Sequence, residues 1–213
     1  MRVASRVCED KRERDPICMP IRNVCVYCGS SAGARAVYAE RARAFGTSLV
    51  RRGLGLVYGG ASVGIMGVVA DTVLAAGGRV VGVIPRQLVA RELAHRGLTE
   101  LKITESMHER KSLMAELADA FVALPGGAGT LEELFEAWTW AQLGLHRKPC
   151  GLLDVEHYFE GLVAFLDHAT AQGFVRARHR AMLLVAAEPD ELLDQLERYE
   201  APNIEPWLRA EQS

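Results

Sequence analysis

Short apolar segments alternate with amphipathic helical segments along this chain from residue 22 to about residue 199. Segment 35–52 shows the helical pattern, because its apolar residues recur at the 3.6-residue spacing of one helix face. These residues are Tyr38, Ala42, Phe45 and Leu49. Repeated alternation of apolar strands with helices favours a parallel sheet that carries helices on both faces. We therefore predict an α/β fold with a Rossmann-like, doubly wound and mainly parallel sheet.

The same patterns predict where the elements lie. Strands are expected at 22–28, 54–58, 79–84, 98–103, 120–124, 149–153 and 181–185. Helices are expected at 35–52, 64–76, 106–117, 130–143, 156–172 and 190–199, and Pro85 is expected to begin a loop. In folds of this kind, ligands bind at the carboxyl ends of the strands, where the strand order reverses.

Length and composition indicate one soluble domain. The chain has 213 residues, of which 49% are apolar and 24% charged, and a chain of this size buries roughly 70% of its unfolded surface. We expect a single domain over 21–200, a flexible extension over 1–20 and a tail over 201–213.

The same composition limits the partners. No apolar run reaches the ~18 residues of a membrane span, and residues 1–20 lack the apolar core of a secretory signal. The formal net charge of −2, with both signs interspersed, gives no basic stripe for nucleic acid. We expect a cytoplasmic protein that binds a small molecule and neither nucleic acid nor a membrane.

Two cysteines have the spacing of a metal or redox site. Cys25 and Cys28 have C-x-x-C spacing, but they lie in a segment with the alternation and β-branched content of a buried strand. Their side chains are therefore predicted to point to opposite faces of the sheet. This favours core-filling thiols over a redox pair or a zinc site, and no metal is expected.

A glycine-rich turn joins the predicted strand 120–124 to a helix, in the motif Leu124-Pro-Gly-Gly-Ala-Gly-Thr-Leu-Glu-Glu133. Its glycines let backbone N–H groups approach an anion, and a helix start adds unpaired donors and a positive dipole end. Thr130 is a plausible N-cap with Glu133 three residues later, which is the pattern of a capping box. The motif predicts an anion site and leaves Glu133 open between a capping and a catalytic role.

Two further glycine-rich loops follow predicted strands, at 29–31 and 59–64. All three loops are expected to line one crevice, which favours a nucleotide-like ligand. The chain lacks both the G-x-x-x-x-G-K-[ST] loop and a G-x-G-x-x-G after its first strand. We therefore predict a phosphate site without triphosphate or dinucleotide chemistry.

A second polar cluster, Met107-His-Glu-Arg-Lys111, begins a predicted helix. On that helix Arg110 lies one turn from Met107 and faces partly inward, with the cation of Lys111 beside it. Taken alone, the cluster is more typical of a solvated group of charges, or of an arginine paired with a helix glutamate, than of a ligand site. His108 is expected at the surface or behind the site.

These motifs together resemble the LOG ("lonely guy") family. The resemblance rests on Val24-Cys-Val-Tyr-Cys-Gly-Ser-Ser31, Tyr58-Gly-Gly60, Gly64-Ile-Met-Gly67, Gly82-Val-Ile-Pro85, the two motifs above, Thr139-Trp-Ala-Gln-Leu-Gly144 and Lys148-Pro149. The resemblance covers about residues 22–197. It implies that the domain over 21–200 binds a nucleotide monophosphate and is catalytic. Members are cytokinin riboside 5′-monophosphate phosphoribohydrolases, and some carry the older description lysine decarboxylase. No pyridoxal phosphate constellation is evident in this chain, and no cofactor is expected.

The resemblance implies a role for individual residues. Arg110 and Glu133 match the family's catalytic pair. The implied substrate-binding residues are Gly60, Ser62, Glu92, Met107, Lys111, Gly126, Gly127, Ala128, Gly129, Thr130 and Glu132. Ala128 departs from the larger residue common in relatives, which should alter pocket shape more than chemistry. The family is typically a homodimer, and the helix 131–145 with Trp138 and Trp140 is either such an interface or ordinary core.

The chemistry suits these residue types. Cleavage of an N-glycosidic bond needs negative charge near the ribosyl centre and a placed water. A glutamate near a helix N-terminus is expected to be ionised and a poor general acid, whereas Arg110 can orient substrate but cannot deliver a proton. Two alternatives remain at this point. One is a general purine or pyrimidine 5′-monophosphate nucleosidase, and the other is a non-catalytic nucleotide-binding or carrier protein of the same fold.

Overall fold

The structure is a computed structural model, and it describes residues 20–89 and 94–203. Its strands form one sheet in the order β4-β3-β2-β1-β5-β6-β7. The strands are β1 Asn23–Tyr27, β2 Gly55–Tyr58, β3 Val80–Pro85, β4 Glu100–Thr104, β5 Ala120–Ala123, β6 Cys150–Leu153 and β7 Leu183–Ala186. Every pairing between these neighbours is parallel.

Helices cover both faces of this sheet. They are α1 Ala36–Arg51, α2 Gly64–Ala75, α3 Arg86–Val89, α4 Met107–Leu117, α5 Ala128–Gln142, α6 Glu160–Ala171, α7 Ala177–Arg180 and α8 Pro189–Glu197. Buried side chains of α1, α2 and α8 form one core with the sheet. Those of α4, α5 and α6 form a second core on the opposite face. The predicted doubly wound α/β fold is therefore confirmed.

The three cysteines in the described part of the chain lie in these cores. Cys28 belongs to the α1–α2–α8 core and Cys25 to the opposite core, as their spacing in a strand predicted. Cys25, Cys28 and Cys150 are buried free thiols, and burial raises the pKa of Cys150 to about 12. A protonated, buried thiol is a poor ligand and nucleophile. Their role in the structure is to fill space.

Several predicted boundaries were wrong. Pro85 is the last residue of β3 and is followed at once by the short helix α3, not by a loop. The strand predicted at 181–185 is β7, which begins later because helix α7 occupies the preceding turn. The helix predicted to begin at residue 156 begins at Glu160, because Glu156 and His157 have positive φ angles and cannot continue a right-handed helix.

The apolar helix α5 belongs largely to the core. Trp138 is 3% exposed, and its indole N–H donates to the His179 carbonyl at 3.1 Å. Trp140 is only partly buried. The core interpretation is therefore correct for Trp138.

No helix among the described residues is long and apolar enough to cross a membrane.

The strand order reverses at β1, which lies between β2 and β5. Because these strands are parallel, the loops that follow them leave the sheet at the same edge, near the pairing of Tyr27 with Ala123. A ligand crevice is expected at this reversal point. The predicted glycine-rich loops lie at this edge.

Candidate active site

The three glycine-rich loops contact one another at the carboxyl edge of the sheet. The Gly29 N–H donates to the Pro125 carbonyl at 3.1 Å, which joins the loops after β1 and β5. The Ile65 N–H donates to the Gly29 carbonyl at 3.0 Å, which adds the start of α2. Gly64 has φ +58°, and a Cβ there would overlap the Ser30 backbone. The three loops therefore meet at one edge of the sheet, where the sequence predicted that they line a crevice.

Helix α5 begins at Ala128, two residues earlier than predicted, and its N-cap is Gly127 without a side-chain cap. The first intrahelical hydrogen bond runs from the Leu131 N–H to the Gly127 carbonyl at 3.2 Å. The N–H groups of Ala128, Gly129 and Thr130 precede that bond, and Gly127, Ala128 and Gly129 are exposed. Such a helix start suits an anion that satisfies the first donors.

The predicted N-cap role of Thr130 is wrong. Thr130 is the third residue of α5 and is 4% exposed, with its side chain packed beneath Gly126. A Cβ on Gly126 would overlap the Thr130 hydroxyl oxygen. The capping interpretation of Glu133 fails with it, because Glu133 lies in the second turn of α5, where backbone N–H groups already have helical acceptors.

Arg110 and Glu133 form a buried ion pair across α4 and α5. The Arg110 Nη1 lies 2.7 Å from Glu133 Oε1, and the two side chains are 9% and 12% exposed. Arg110 Nε also donates to the Val83 carbonyl at the end of β3, at 3.0 Å. Helix α4 starts at a Ser106 N-cap, whose hydroxyl accepts the Glu109 N–H at 3.1 Å, so Arg110 lies on its first turn. The sheet edge and both helices therefore fix this guanidinium.

Burial raises the pKa of the Glu133 carboxyl above the usual glutamate value, although the Arg110 guanidinium acts in the opposite direction. The sequence predicted the reverse, a carboxylate favoured in its ionised form by the start of a helix. The prediction was wrong because α5 begins earlier than expected, which moves Glu133 out of the first turn, and because the side chain is buried. Perturbed carboxyl pKa values are frequent at catalytic sites.

Sequence reasoning did not assign a role to Gly59, the first residue after β2. A Cβ at this position would overlap Nη2 of Arg110. The guanidinium therefore occupies the space that any larger residue at position 59 would need. Only the three-dimensional placement of Arg110 against β2 reveals this requirement, since these residues lie far apart in sequence.

The family resemblance implies that Arg110 is catalytic. If so, we expect Gly59→Ala to lower kcat/KM by at least about tenfold, because the added Cβ displaces the Arg110 guanidinium and a displacement of about 1 Å disturbs catalytic geometry. Gly161→Ala is a matched control, because a Cβ on Gly161 in α6 meets nothing within 4 Å. Steady-state kinetics and thermal unfolding of both variants test this. Unchanged kinetics for Gly59→Ala would show that the position of Arg110 against β2 is unimportant.

Lys111 pairs with glutamates of α5. Its Nζ lies 2.5 Å from Glu132 Oε1 and 3.0 Å from Glu136 Oε1, and its side chain is 11% exposed. Glu136 was absent from the predicted site. Its position one helical turn after Glu132 was the available signal. This cluster lies next to the Arg110–Glu133 pair and joins α4 to α5 through ion pairs.

The other predicted binding residues differ in their solvent exposure. Gly60 is buried and its carbonyl accepts the His95 N–H at 3.0 Å, whereas Ser62 is exposed. Met107 is 43% exposed at the start of α4, and His108 is exposed. Glu92 lies outside the described residues.

The structure defines a Rossmann-like α/β protein with a cluster of paired charges at the sheet edge where the strand order reverses. A sequence model of the family described as "Possible lysine decarboxylase" matches residues 66–196. "Probable cytokinin riboside 5'-monophosphate phosphoribohydrolase LOGL1" from Oryza sativa subsp. japonica is 51% identical over 83% of this chain and 79% of the relative. "Cytokinin riboside 5'-monophosphate phosphoribohydrolase LOG7" from Arabidopsis thaliana is 50% identical over 84% and 82%. The chain belongs to the LOG family, as its motifs predicted.

Solved structures share the fold at low sequence identity. The molybdenum cofactor binding protein from Rippkaea orientalis has a TM-score of 0.64 and 20% identity, covering 84% of this chain and 97% of that chain. The molybdenum cofactor carrier protein from Chlamydomonas reinhardtii has a TM-score of 0.63 and 21% identity, covering 82% and 97%. These similarities confirm the Rossmann-like architecture.

Proposed function

We propose that this chain hydrolyses the N-glycosidic bond of N6-modified adenosine 5′-monophosphates and releases the free base and ribose 5-phosphate. The observation that carries the proposal is the buried Arg110–Glu133 pair, which lies beside the helix start of α5 at the carboxyl edge of the sheet. A pure binding module needs the anion site but has no need for a buried carboxylate next to it. The relatives at about 50% identity are named for this reaction.

The 5′-phosphate is assigned to the glycine loop. Gly127, Ala128 and Gly129 are exposed, and their N–H groups lie at the start of a helix without a side-chain cap. A phosphate there accepts these donors and interacts favourably with the positive end of the helix dipole. The departure at Ala128 leaves these backbone donors in place, because they do not depend on the side chain.

Bond cleavage is assigned to Glu133. As the C1′–N bond lengthens, positive charge develops on the ribosyl centre, and a nearby carboxylate stabilises it. The same carboxylate can accept a proton from the attacking water, which then forms the new bond to C1′. A pKa raised by burial makes Glu133 a stronger base than an exposed glutamate.

Arg110 is assigned to orientation and charge. Its guanidinium holds Glu133 Oε1 at 2.7 Å and is itself held by the Val83 carbonyl. Its positive charge balances negative charge on the phosphate or the departing base, and a guanidinium does not serve as a proton donor. The departing base takes its proton from water.

The proposal is tested with purified protein and four compounds: isopentenyladenosine 5′-monophosphate, AMP and the two matching ribosides. We expect release of ribose 5-phosphate from the N6-modified monophosphate in preference to AMP, with little release of base from the ribosides. Equal rates with AMP and with the N6-modified monophosphate would instead support a nucleosidase that acts on 5′-monophosphates in general. Tight binding of monophosphates without release from any of them would establish a carrier protein.

The raised pKa of Glu133 predicts a specific pH dependence. Because the ionised carboxylate is the active form, kcat/KM should fall as the pH drops through a value above the ordinary glutamate pKa of about 4.3. The contribution of Glu133 to the free energy of unfolding should instead increase as the pH drops. The reason is that its pKa is higher in the folded than in the unfolded state, so protonation favours folding. A pH–rate profile recorded with a pH–stability profile tests this. The prediction would be contradicted if kcat/KM stayed unchanged down to the pH range in which an ordinary glutamate titrates. It would also be contradicted if the loss of activity at low pH coincided with unfolding.

We further propose a cytoplasmic homodimer. Three buried free thiols suit a reducing compartment. Large apolar side chains remain exposed on the single chain, among them Leu145, Phe165 and Phe174. Burial of such side chains between two copies removes apolar surface from water. Light scattering of the purified protein gives the mass, and a monomer at micromolar concentration would contradict this assembly.

A further inference from the structure

We propose that Tyr158 is a positioning residue that sets the direction of the phosphate-binding N–H groups in the glycine loop. The inference rests on the proposed function, because it assigns a device to the same phosphate site. Tyr158 follows β6 and belongs to none of the sequence motifs described above. Its hydroxyl donates to the Gly126 carbonyl at 2.7 Å.

This hydrogen bond acts on the peptide group between Gly126 and Gly127. A peptide group is planar and trans, so its C=O and its N–H point in opposite directions. When Tyr158 holds the Gly126 carbonyl on its own side, the Gly127 N–H must point away from Tyr158. Without that bond, a glycine peptide has more freedom to rotate, because neither neighbour carries a Cβ.

The preceding peptide group is held in the same way. The Pro125 carbonyl accepts the Gly29 N–H at 3.1 Å, which fixes the opposed direction of the Gly126 N–H. Two successive peptide groups are therefore held through their carbonyl oxygens, one by the backbone after β1 and one by Tyr158. Successive N–H groups in fixed directions form the concave anion site that backbone donors provide.

The chain segment that carries Tyr158 adopts an unfavoured conformation. Glu156 has φ 51° and His157 has φ 61°, and they are the non-glycine residues with positive φ in the described part of the chain. Two consecutive residues in this region persist only where surrounding contacts impose the conformation. Strain of this kind is concentrated at functional sites, and here it delivers the Tyr158 side chain to the loop.

Packing on both sides fixes the ring of Tyr158. It lies edge-on to Tyr38 of α1 at 5.6 Å and to Phe159 at 4.9 Å. Phe159 is 2% exposed, and its N–H donates to Asp154 Oδ1 at 2.7 Å. The ring is therefore held from α1 and from the core, while 43% of the Tyr158 residue surface stays exposed.

The test is Tyr158→Phe in the full chain, with ribose 5-phosphate and adenine as two separate probes. Ribose 5-phosphate carries the phosphate, whereas adenine does not. We expect the Kd of ribose 5-phosphate and the KM of the monophosphate to rise about two- to tenfold. This is the change in affinity that corresponds to the loss of one neutral hydrogen bond. The Kd of adenine and kcat should change by less than about twofold.

Tyr38→Phe is the matched control, because it removes a hydroxyl from the same aromatic group without touching Gly126. It should leave both dissociation constants unchanged. Thermal unfolding of each variant separates positioning from stability, since a merely structural role would weaken both probes together. Unchanged binding of ribose 5-phosphate to Tyr158→Phe, or equal weakening of both probes, overturns the inference. Wild-type protein that binds ribose 5-phosphate but hydrolyses no monophosphate overturns the proposed function alone.

Discussion

Glu133→Gln is expected to lower kcat/KM by about 10²- to 10⁴-fold, the range for loss of a positioned acid–base group. The amide keeps the size and shape of the side chain but carries no charge, so it neither stabilises the ribosyl cation nor accepts a proton from water. Folding should be retained. Arg110 loses its ionic partner in this variant, but the amide oxygen can still accept from Arg110 Nη1, and the neutral amide does not carry the desolvation penalty that the raised pKa of the carboxyl indicates.

The measurement is release of ribose 5-phosphate under steady-state conditions, together with thermal unfolding. Glu116→Gln is the matched control, because Glu116 is an exposed glutamate near the other end of α4. It should reproduce wild-type kinetics within about twofold, as surface substitutions generally do. A Glu133→Gln enzyme with near wild-type turnover would exclude Glu133 from the chemistry.

Arg110→Ala should abolish most turnover and also lower the free energy of unfolding by about 3 kcal/mol. Removal of one partner of a buried ion pair leaves the other without compensation, and such losses are typically 3–5 kcal/mol. The Val83 carbonyl loses its side-chain donor in the same variant. Glu133 should respond by taking up a proton at a higher pH than in the wild type.

The double variant Arg110→Met/Glu133→Gln separates stability from catalysis. Removal of both charges should recover most of the lost stability while activity stays absent, since the buried charge is no longer unpaired. Chemical denaturation of the wild type, Arg110→Met, Glu133→Gln and the double variant gives the coupling energy. Additive losses of stability, without recovery in the double variant, would show that the pair does not act as a unit.

Much of the fold followed from local patterns. Helix α1 was predictable because Phe45 and Leu49 recur on one face. Strand β1 was predictable because it is apolar on both faces and β-branched at Val24 and Val26. Boundaries were less predictable where packing or backbone strain decided them. The start of α6 shifted because Glu156 and His157 adopt positive φ, a conformation that neither residue type announces.

The site followed the same division. The Arg110 and Glu133 motifs were recognisable from residue type and spacing, and their residues meet at 2.7 Å. Gly59 and Tyr158 were missed because each acts on a partner distant in sequence. Gly59 makes room for the Arg110 guanidinium, and Tyr158 holds the Gly126 carbonyl.

The sequence by itself determined the doubly wound α/β architecture, the family and the two charged motifs, because these depend on periodicity and on residues close together along the chain. Only the tertiary structure decided the state of Glu133. Where α5 begins and how deeply its second turn is buried depend on packing against the sheet and α4. That burial, opposed by the Arg110 guanidinium, raises the pKa of a carboxyl that the motif alone had left open between a capping and a catalytic role.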